Sequence, residues 1–236
     1  MGTDITRKCE NTREMMEMRQ GYSLQGKMHL SRERIMDWYE NHDGKVYVAF
    51  SGGKDSTVLL HLVRSIYPDV PAVFSDTGLE YPEIKEFVKT WDNVVTVRPK
   101  MNFKNMLAKY GFPVVSKKQS RFIRDLQNPT PRNEATRNLR LTGMNRAGKY
   151  LPTMILSKKW RYLIDAPFKI SEQCCDINKK NPMKKYEKET DRKPFIGTMV
   201  DDSSLRKQAW FRDGCNSFDG KRVSSKPLSF WTEENI

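Results

Sequence analysis

The sequence predicts an α/β protein in which a parallel, twisted sheet is flanked by helices. Three observations support this class: a buried strand run ends in a Gly-Gly turn and restarts as an apolar helix, strands then alternate with helices, and polar residues gather where strands end. A chain of 236 residues with 37% hydrophobic content can bury one sizeable core and leaves little for a second. We therefore expect one main domain with a basic, cysteine-containing C-terminal appendage.

The first half of the chain predicts a β-α-β-α-β succession. In order, the predicted elements are a helix capped by Ser31 and ending near 43–44, a strand at 45–50, a helix from the Gly-Gly turn to Ile66, a strand at 72–75, a helix at 82–91 and a strand at 94–97. Right-handed crossovers bring the carboxyl ends of parallel strands to one edge, where ligands collect. Residues 51–56 and 76–80 both lie at such ends.

The helical periodicity weakens from about Gly111, where Lys and Arg become frequent. Breaks are predicted at 128–129 and 181–182, each an Asn-Pro pair. Further elements expected are a helix within 165–188 after a cysteine pair, a strand at 195–198, a helix at 201–210 and a final helix start capped by Thr232. Because that last element has nothing after it, we expect the protein to continue beyond Ile236.

The formal charge of +13 favours acidic partners such as nucleotides, nucleic acid or sulfate, although a solvated basic surface explains it equally well. The first 20 residues hold neither an apolar signal core nor a membrane span, so a cytoplasmic location and no membrane partner are expected. Four cysteines are too few for a disulfide scaffold in a chain of this length. We therefore expect the cysteines to serve in metal binding or redox chemistry rather than in disulfides.

Residues 51–56 read Ser-Gly-Gly-Lys-Asp-Ser between the first strand and its helix, and they predict a phosphate-binding loop. A helix N-terminus presents unpaired backbone N–H groups and the positive end of the helix dipole to an anion. Gly52 and Gly53 allow close approach of the backbone. The loop is not a Walker A motif, which needs a glycine five residues before its Gly-Lys-Ser/Thr, and a P-loop NTPase is therefore disfavoured.

The hexamer resembles the pyrophosphatase loop of the adenine nucleotide alpha-hydrolase superfamily. Residues 76–83, Asp-Thr-Gly-Leu-Glu-Tyr-Pro-Glu, narrow the resemblance to the phosphoadenosine phosphosulfate reductase family within it. Residues 111–117, the Cys174-Cys175 pair with the Lys and Pro that follow it, and residues 197–206 ahead of Cys215 extend the match. The resemblance implies three regions: a polar leader at 1–30, a nucleotide-binding α/β domain at 31–168, and a cysteine-containing region at 169–236 that is truncated and packed on the same domain.

The resemblance implies a role for each matching residue. Backbone N–H groups of the two glycines, with the Ser51 and Ser56 hydroxyls and Lys54, would hold the terminal phosphates. Asp55 would help to hold Mg²⁺, the alternative being that it only complements the helix dipole. The adenosine would be flanked by Ala49, Phe50, Ser75, Asp76, Thr77 and Gly78. Asp76 is equally well explained as a helix cap.

Lys117 and Arg206 are candidates for the anionic end of the substrate, Arg206 because a guanidinium matches phosphate or sulfate oxygens bidentately. A solvated surface position is the alternative for each of them. The catalytic set expected is Lys54, Asp55 and Arg206. Trp210 and Phe211 are expected in the core rather than as platforms for base stacking.

Cys174 and Cys175 are adjacent and cannot easily bond each other, so the pair suggests joint ligation of a metal or cluster with Cys215 as third thiolate. The resemblance points to a four-iron, four-sulfur cluster. A fourth ligand is missing, since Cys9 lies far away in the leader. A ligand beyond Ile236, a substrate atom or an open iron site would complete it, and the alternative is that the thiols are buried and inert. Zinc is less favoured.

Two departures from assimilatory reductases favour an ATP user: the loop is intact, and no C-terminal Glu-Cys-Gly-Leu-type tail carries a nucleophilic cysteine. The first hypothesis is an ATP pyrophosphatase-type enzyme that adenylates a substrate in a reaction linked to sulfur transfer. The second is a true phosphoadenylyl-sulfate or adenylyl-sulfate reductase. The third is a nucleic-acid-binding or nucleic-acid-modifying protein that contacts phosphates through residues 117–193. The partners expected are an adenine nucleotide (ATP or PAPS), a sulfur donor or thioredoxin-like reductant, nucleic acid, and a second copy in a homodimer.

Overall fold

The computed structural model describes residues 11–219 and 222–236, in which six strands form one sheet in the order β3-β2-β1-β4-β6-β5. The strands are β1 Val46–Phe50, β2 Ala72–Ser75, β3 Val94–Val97, β4 Lys193–Ile196, β5 Asn216–Ser217 and β6 Ser224–Ser225. All neighbours are parallel except β5 and β6, which pair antiparallel. The predicted α/β class with a parallel sheet and flanking helices is confirmed.

Nine α-helices are found in the described residues. They are α1 Arg13–Gln20, α2 Leu24–Glu40, α3 Lys54–Arg64, α4 Pro82–Lys89, α5 Phe103–Tyr110, α6 Lys117–Gln127, α7 Glu134–Thr142, α8 Asn181–Thr190 and α9 Ser204–Asp213. A single π-helical turn, Asp176–Lys180, precedes α8, and short 3₁₀ turns include Lys158–Asp165 and Glu233–Asn235. No helix in the described ranges combines the length and apolar character that crossing a membrane requires.

β1 lies inside the sheet because its sequence is apolar on both faces. Val46, Tyr47, Val48 and Phe50 are all buried, as expected for a strand covered by helices on each side. Val48 pairs with Ala72 of β2 on one side and with Phe195 of β4 on the other. The residues that follow β1 therefore emerge between two neighbouring strands that run in the same direction.

The start of α2 differs from the prediction, which placed the helix cap at Ser31. The observed cap is Ser23, whose hydroxyl accepts a hydrogen bond from the Gly26 N–H at 3.2 Å. Ser31 lies in the middle of the helix and is fully buried. Its hydroxyl donates to the Pro227 carbonyl and accepts from Trp231 Nε1, each at 2.9 Å. From the sequence alone, such a buried serine looks the same as a helix cap. In either place the serine hydroxyl serves as a hydrogen-bond partner for other polar groups.

Ser31→Ala is expected to lower the free energy of unfolding by about 1–3 kcal/mol, because it leaves a buried Trp N–H without its partner. Chemical denaturation monitored by circular dichroism measures the change. Ser204→Ala, at an exposed position of α9, serves as the matched control and should change the free energy by less than about 0.5 kcal/mol. Equal effects of the two variants would show that the Ser31 hydrogen bonds contribute nothing to stability.

Backbone contacts divide the chain into two compact units. The sheet unit comprises the described residues of 11–76, 80–97 and 183–236, and the helical unit comprises 77–79 and 98–182. This division does not follow the predicted boundaries at 30/31 and 168/169. The chain re-enters the sheet unit after Pro182 because β4 pairs with β1. Residues 1–10 of the predicted leader lie outside the described residues, and its remaining residues form α1 and the start of α2.

The helical unit has its own small core. Phe122, Ile123 and Leu126 of α6 are buried with Leu156 and Ile170. Neither α6 nor α7 was predicted, although the predicted break at 128–129 agrees with the end of α6 at Gln127. The break predicted at 181–182 is wrong: helical backbone continues from the π turn into α8, since proline is tolerated in the first turn of a helix.

Candidate nucleotide-binding site

The 51–56 loop leaves the end of β1 through a glycine in the left-handed region. Gly52 has φ of +74°. A Cβ atom built there would lie 2.9 Å from Ile84 Cγ2 and 3.1 Å from Val88 Cγ2, both in α4. Gly52 is therefore required for two reasons, its backbone conformation and the close packing of α4.

Hydrogen bonds within the loop hold its shape. The Ser51 N–H donates to Ser56 Oγ at 3.2 Å, and the Gly53 N–H donates to Ser51 Oγ at 3.3 Å. Ser56 Oγ in turn donates to the Gly53 carbonyl at 2.8 Å. The two serines, which the sequence predicted as phosphate ligands, thus already organise the loop from within.

The loop opens directly onto the N-terminus of α3. Gly53 is the N-cap residue, and no side chain caps the helix. The N–H groups of the first helical turn have no acceptor within a helix, and the helix dipole adds positive potential at this end. Both features favour an anionic group such as a phosphate at this position.

Gly197, just after β4, fixes the first turn of α3 from the neighbouring strand. A Cβ atom there would lie 2.9 Å from the Asp55 carbonyl oxygen and 3.2 Å from the Ser56 nitrogen. Only a residue without a side chain permits this approach of two backbones. The sequence analysis placed Gly197 in a strand and missed its contact with the loop.

Lys54 forms an ion pair with Glu233 of the C-terminal 3₁₀ turn. The two side chains are 55% and 70% exposed, so solvent screens the pair and an anion can compete with the carboxylate for Lys54. Nothing in the local sequence predicts this contact, because the partners are 179 residues apart.

The carboxylate of Asp55 is relevant to the binding of a metal ion. Its Oδ1 atom is buried and has no hydrogen-bond partner within the described residues. A buried carboxylate oxygen without a partner is costly, and Mg²⁺ prefers oxygen ligands of this kind. The position of Asp55 in the first turn of α3 fits a magnesium ion held against bound phosphates.

Other predicted site residues lie in the sheet unit, at the ends of β1 and β2. Phe50 packs its ring against Phe87 and Trp91, with centroids 6.4 and 5.8 Å apart, so only its backbone is available to a ligand. Asp76 follows β2 and forms an ion pair with Lys85 of α4 at 3.0 Å. That pairing differs from both the ligand contact and the helix cap considered for Asp76.

Four further residues were predicted to flank the adenosine, and they lie at or just after the ends of β1 and β2. Ala49 is half-buried near the end of β1, and Ser75 is half-buried as the last residue of β2. Thr77 and Gly78 belong to the helical unit. Thr77 is buried and accepts a hydrogen bond from the Leu79 N–H at 3.3 Å, and Gly78 has φ of +81°.

The two predicted anion-binding cations have carboxylate partners. Arg206, in the first turn of α9, contacts Asp202. Lys117, the first residue of α6, lies 3.6 Å from Asp176, which also binds Lys180 at 2.7 Å. The hydrogen bond from Lys180 is the main cause that lowers the pKa of Asp176. Trp210 is buried, as predicted, and Phe211 packs against the same core.

The three described cysteines differ in environment. Cys215 is buried in the sheet unit, and burial raises the pKa of its thiol. Cys175 is exposed, and Cys174 is half-buried and accepts a hydrogen bond from Asn178 Nδ2 at 3.5 Å. Within residues 11–219 and 222–236, no three or more His, Cys, Asp or Glu side chains are grouped to hold a metal ion. The iron–sulfur cluster stays a prediction. Cys9 lies outside the described residues.

A parallel sheet whose inner strand ends in a glycine loop at a helix N-terminus defines an α/β protein that uses nucleotides. Residues 45–147 match the family model for the phosphoadenosine phosphosulfate reductase domain. This match covers less than half of the chain and agrees with the family resemblance that the sequence motifs indicated.

Individual curated relatives match over shorter stretches than the family model. A phosphoadenosine 5'-phosphosulfate reductase of Salmonella arizonae is 35% identical over 75 residues, 32% of this chain and 29% of that protein. The reductase of Salmonella newport is 37% identical over 76 residues, 32% of this chain and 30% of that protein. An uncharacterized protein of Methanocaldococcus jannaschii is 39% identical over 87 residues, 34% of this chain and 21% of that protein. The matched part thus spans less than a third of each relative's length.

Proposed function

We propose that the protein is an ATP pyrophosphatase-type enzyme that adenylates an acceptor and thereby prepares it for sulfur transfer. The observation that supports this proposal most directly is the 51–56 loop, intact in sequence and closed by its own hydrogen bonds around the N-terminus of α3. A triphosphate ends in the pyrophosphate that such a loop is suited to hold.

The proposed reaction begins when an acceptor oxygen attacks the α-phosphorus of ATP. A new P–O bond forms to the acceptor, the bond to the β-phosphate bridge breaks, pyrophosphate leaves, and the proton of the acceptor passes to solvent. The adenylated acceptor then takes sulfur from a donor and releases AMP. Mg²⁺ bound with the nucleotide neutralises charge on the phosphates.

The residues of the chain have separate tasks in this step. Backbone N–H groups at the start of α3 bind the oxygens of the leaving pyrophosphate. Lys54 exchanges Glu233 for phosphate and adds a positive charge where negative charge develops. Asp55 holds the metal ion, and the backbone at the ends of β1 and β2 positions the adenosine. Positioning and charge account for the catalysis, so no protein nucleophile is needed.

A second candidate is reduction of a sulfonucleotide, favoured by the names of the Salmonella relatives. In that reaction phosphoadenosine phosphosulfate would replace ATP, and a thiolate from a partner such as a thioredoxin-like reductant would attack the sulfur. The S–O bond to the 5'-phosphate would break, adenosine 3',5'-bisphosphate would leave, and a second thiol of the reductant would displace sulfite and close a disulfide. The intact loop favours the first candidate because the sulfonucleotide lacks a terminal pyrophosphate.

Titration calorimetry with ATP plus Mg²⁺ and with phosphoadenosine phosphosulfate distinguishes the candidates, together with an assay for released pyrophosphate. We expect ATP to bind in a Mg²⁺-dependent manner and pyrophosphate to be released. Tight binding of the sulfonucleotide without ATP turnover would select the reductase. Failure of both nucleotides to bind would exclude both candidates.

A further inference from the structure

The positive charge of the chain is confined to one of its two units. The helical unit, residues 77–79 and 98–182, holds 19 Lys and Arg against 5 Asp and Glu. The whole chain has 42 Lys and Arg against 29 Asp and Glu. The residues outside the helical unit therefore hold 23 Lys and Arg against 24 Asp and Glu. The helical unit thus carries a formal charge of +14, while the rest is close to neutral.

Three of the five carboxylates within the helical unit are already engaged by a few of these cations. Asp125 and Glu172 both contact Arg124, at 3.3 and 2.7 Å, and Asp176 contacts Lys180 at 2.7 Å. They leave a large excess of positive charge, and 14 of the 19 cationic residues are exposed. An excess of this size creates a potential that attracts polyanions.

Three basic segments of this unit are joined by hydrogen bonds. The Ser157 N–H donates to Gln119 Oε1 of α6 at 3.4 Å, and the Leu156 N–H donates to the Arg140 carbonyl of α7 at 2.8 Å. The 3₁₀ turn that follows Ser157 is thereby held beside α6 and α7. The turn after α7 is closed by a bridge between Met144 and Tyr150 and adds two more cations. We call the exposed cations of α6, of this turn and of the 3₁₀ turn the basic surface: Lys118, Arg121, Arg146, Lys149, Lys158 and Lys159.

Two exposed tyrosines accompany the basic surface. Tyr150 is 57% exposed, and its ring lies over Gly143, where an added Cβ would come within 2.8 Å of Tyr150 Cε2. Tyr162 is 66% exposed in the 3₁₀ turn and lies 6.5 Å from the Trp160 ring, centroid to centroid. An exposed aromatic ring offers a platform on which a base can stack.

We infer that the helical unit binds single-stranded nucleic acid, with the basic surface contacting phosphates and Tyr150 and Tyr162 stacking on unpaired bases. A duplex would use the charges but hide its base faces. An anionic membrane is disfavoured because the apolar side chains of α6, Phe122, Ile123 and Leu126, are buried in the core of the unit and cannot insert into lipid. This binding needs no nucleotide in the 51–56 loop.

Fluorescence anisotropy with a labelled single-stranded poly(U) oligonucleotide, without ATP, tests the inference. We expect affinity to fall steeply as salt rises from about 50 to 200 mM, because each phosphate contact contributes about 0.7 to the slope of log K against log salt. A variant with Lys118, Arg121, Lys158 and Lys159 changed to Ala should lower that slope by about 2–3. The matched control changes four exposed cations of the sheet unit, Arg32, Lys89, Lys184 and Lys188, and should leave the slope unchanged.

Stacking is tested separately by Tyr150→Ala and Tyr162→Ala, each expected to weaken single-strand binding about tenfold while leaving the salt slope intact. Equal loss in the two cation variants, equal affinity for duplex and single strand, or comparable binding to phosphatidylserine vesicles would overturn the inference. The loop variant Gly52→Ala should lose ATP binding but keep its affinity for nucleic acid. A failure of the nucleic-acid inference can therefore be distinguished from a failure of the proposed adenylation.

Discussion

Gly52→Ala is expected to abolish binding of ATP and release of pyrophosphate. The new Cβ would meet Ile84 and Val88 at 2.9 and 3.1 Å, and the backbone φ of +74° is strained for any L-residue by about 1–2 kcal/mol. Relief of either problem requires the loop to move away from α4, which misplaces the N–H groups at the start of α3. We expect the rate of pyrophosphate release to fall by at least about a hundredfold.

Gly53→Ala is the matched control for this change. The next glycine has φ of −82°, and a Cβ atom there would touch only Ser51 Oγ, at 3.4 Å. The variant should retain nucleotide binding within a few-fold. If both variants bind ATP like the unchanged protein, the 51–56 loop does not hold the phosphates.

Lys54→Ala is expected to reduce the rate of pyrophosphate release by about 10²–10³, the usual effect of removing one group that stabilises developing negative charge. Folding should be unaffected, since the side chain is 55% exposed and its ion pair with Glu233 is screened by solvent. Steady-state kinetics with ATP and Mg²⁺ measure kcat and KM separately.

Lys89→Ala controls for the loss of an exposed, ion-paired lysine, because Lys89 is 69% exposed and bonds Glu86 at 2.7 Å. Glu233→Gln addresses the ion pair from its other side. That variant keeps Lys54 and removes its competing carboxylate, so KM for ATP should stay equal or fall. A loss in Lys54→Ala no greater than that in Lys89→Ala would remove Lys54 from the proposed mechanism.

Local sequence predicted the elements that depend on local pattern. β2 and β3 have the predicted bounds because short apolar runs between turn residues leave little choice of limits. The 51–56 loop was located because its glycines and the following apolar helix specify one conformation. In contrast, α6 was missed because Lys and Arg side chains surround the few apolar positions that face its core, and α7 was missed because its buried residue is Arg140 rather than an apolar side chain.

Contacts between distant segments account for most of the remaining differences. Ser31 was assigned as a cap because its partners, Pro227 and Trp231, lie about 200 residues further along the chain. The contact of Glu233 with Lys54, 179 residues apart, has the same origin. Each depends on which strands and helices become neighbours, and periodicity alone does not contain that information.

The position of β1 inside the sheet determines when the 51–56 loop loses its structure during unfolding. β1 is bonded along both edges, to β2 and to β4, so its amides should exchange with deuterated solvent only in large-scale openings. The left-handed turn at Gly52 thus follows directly on a segment that does not fray on its own. Heat or denaturant should then abolish nucleotide binding at the midpoint of unfolding rather than before it.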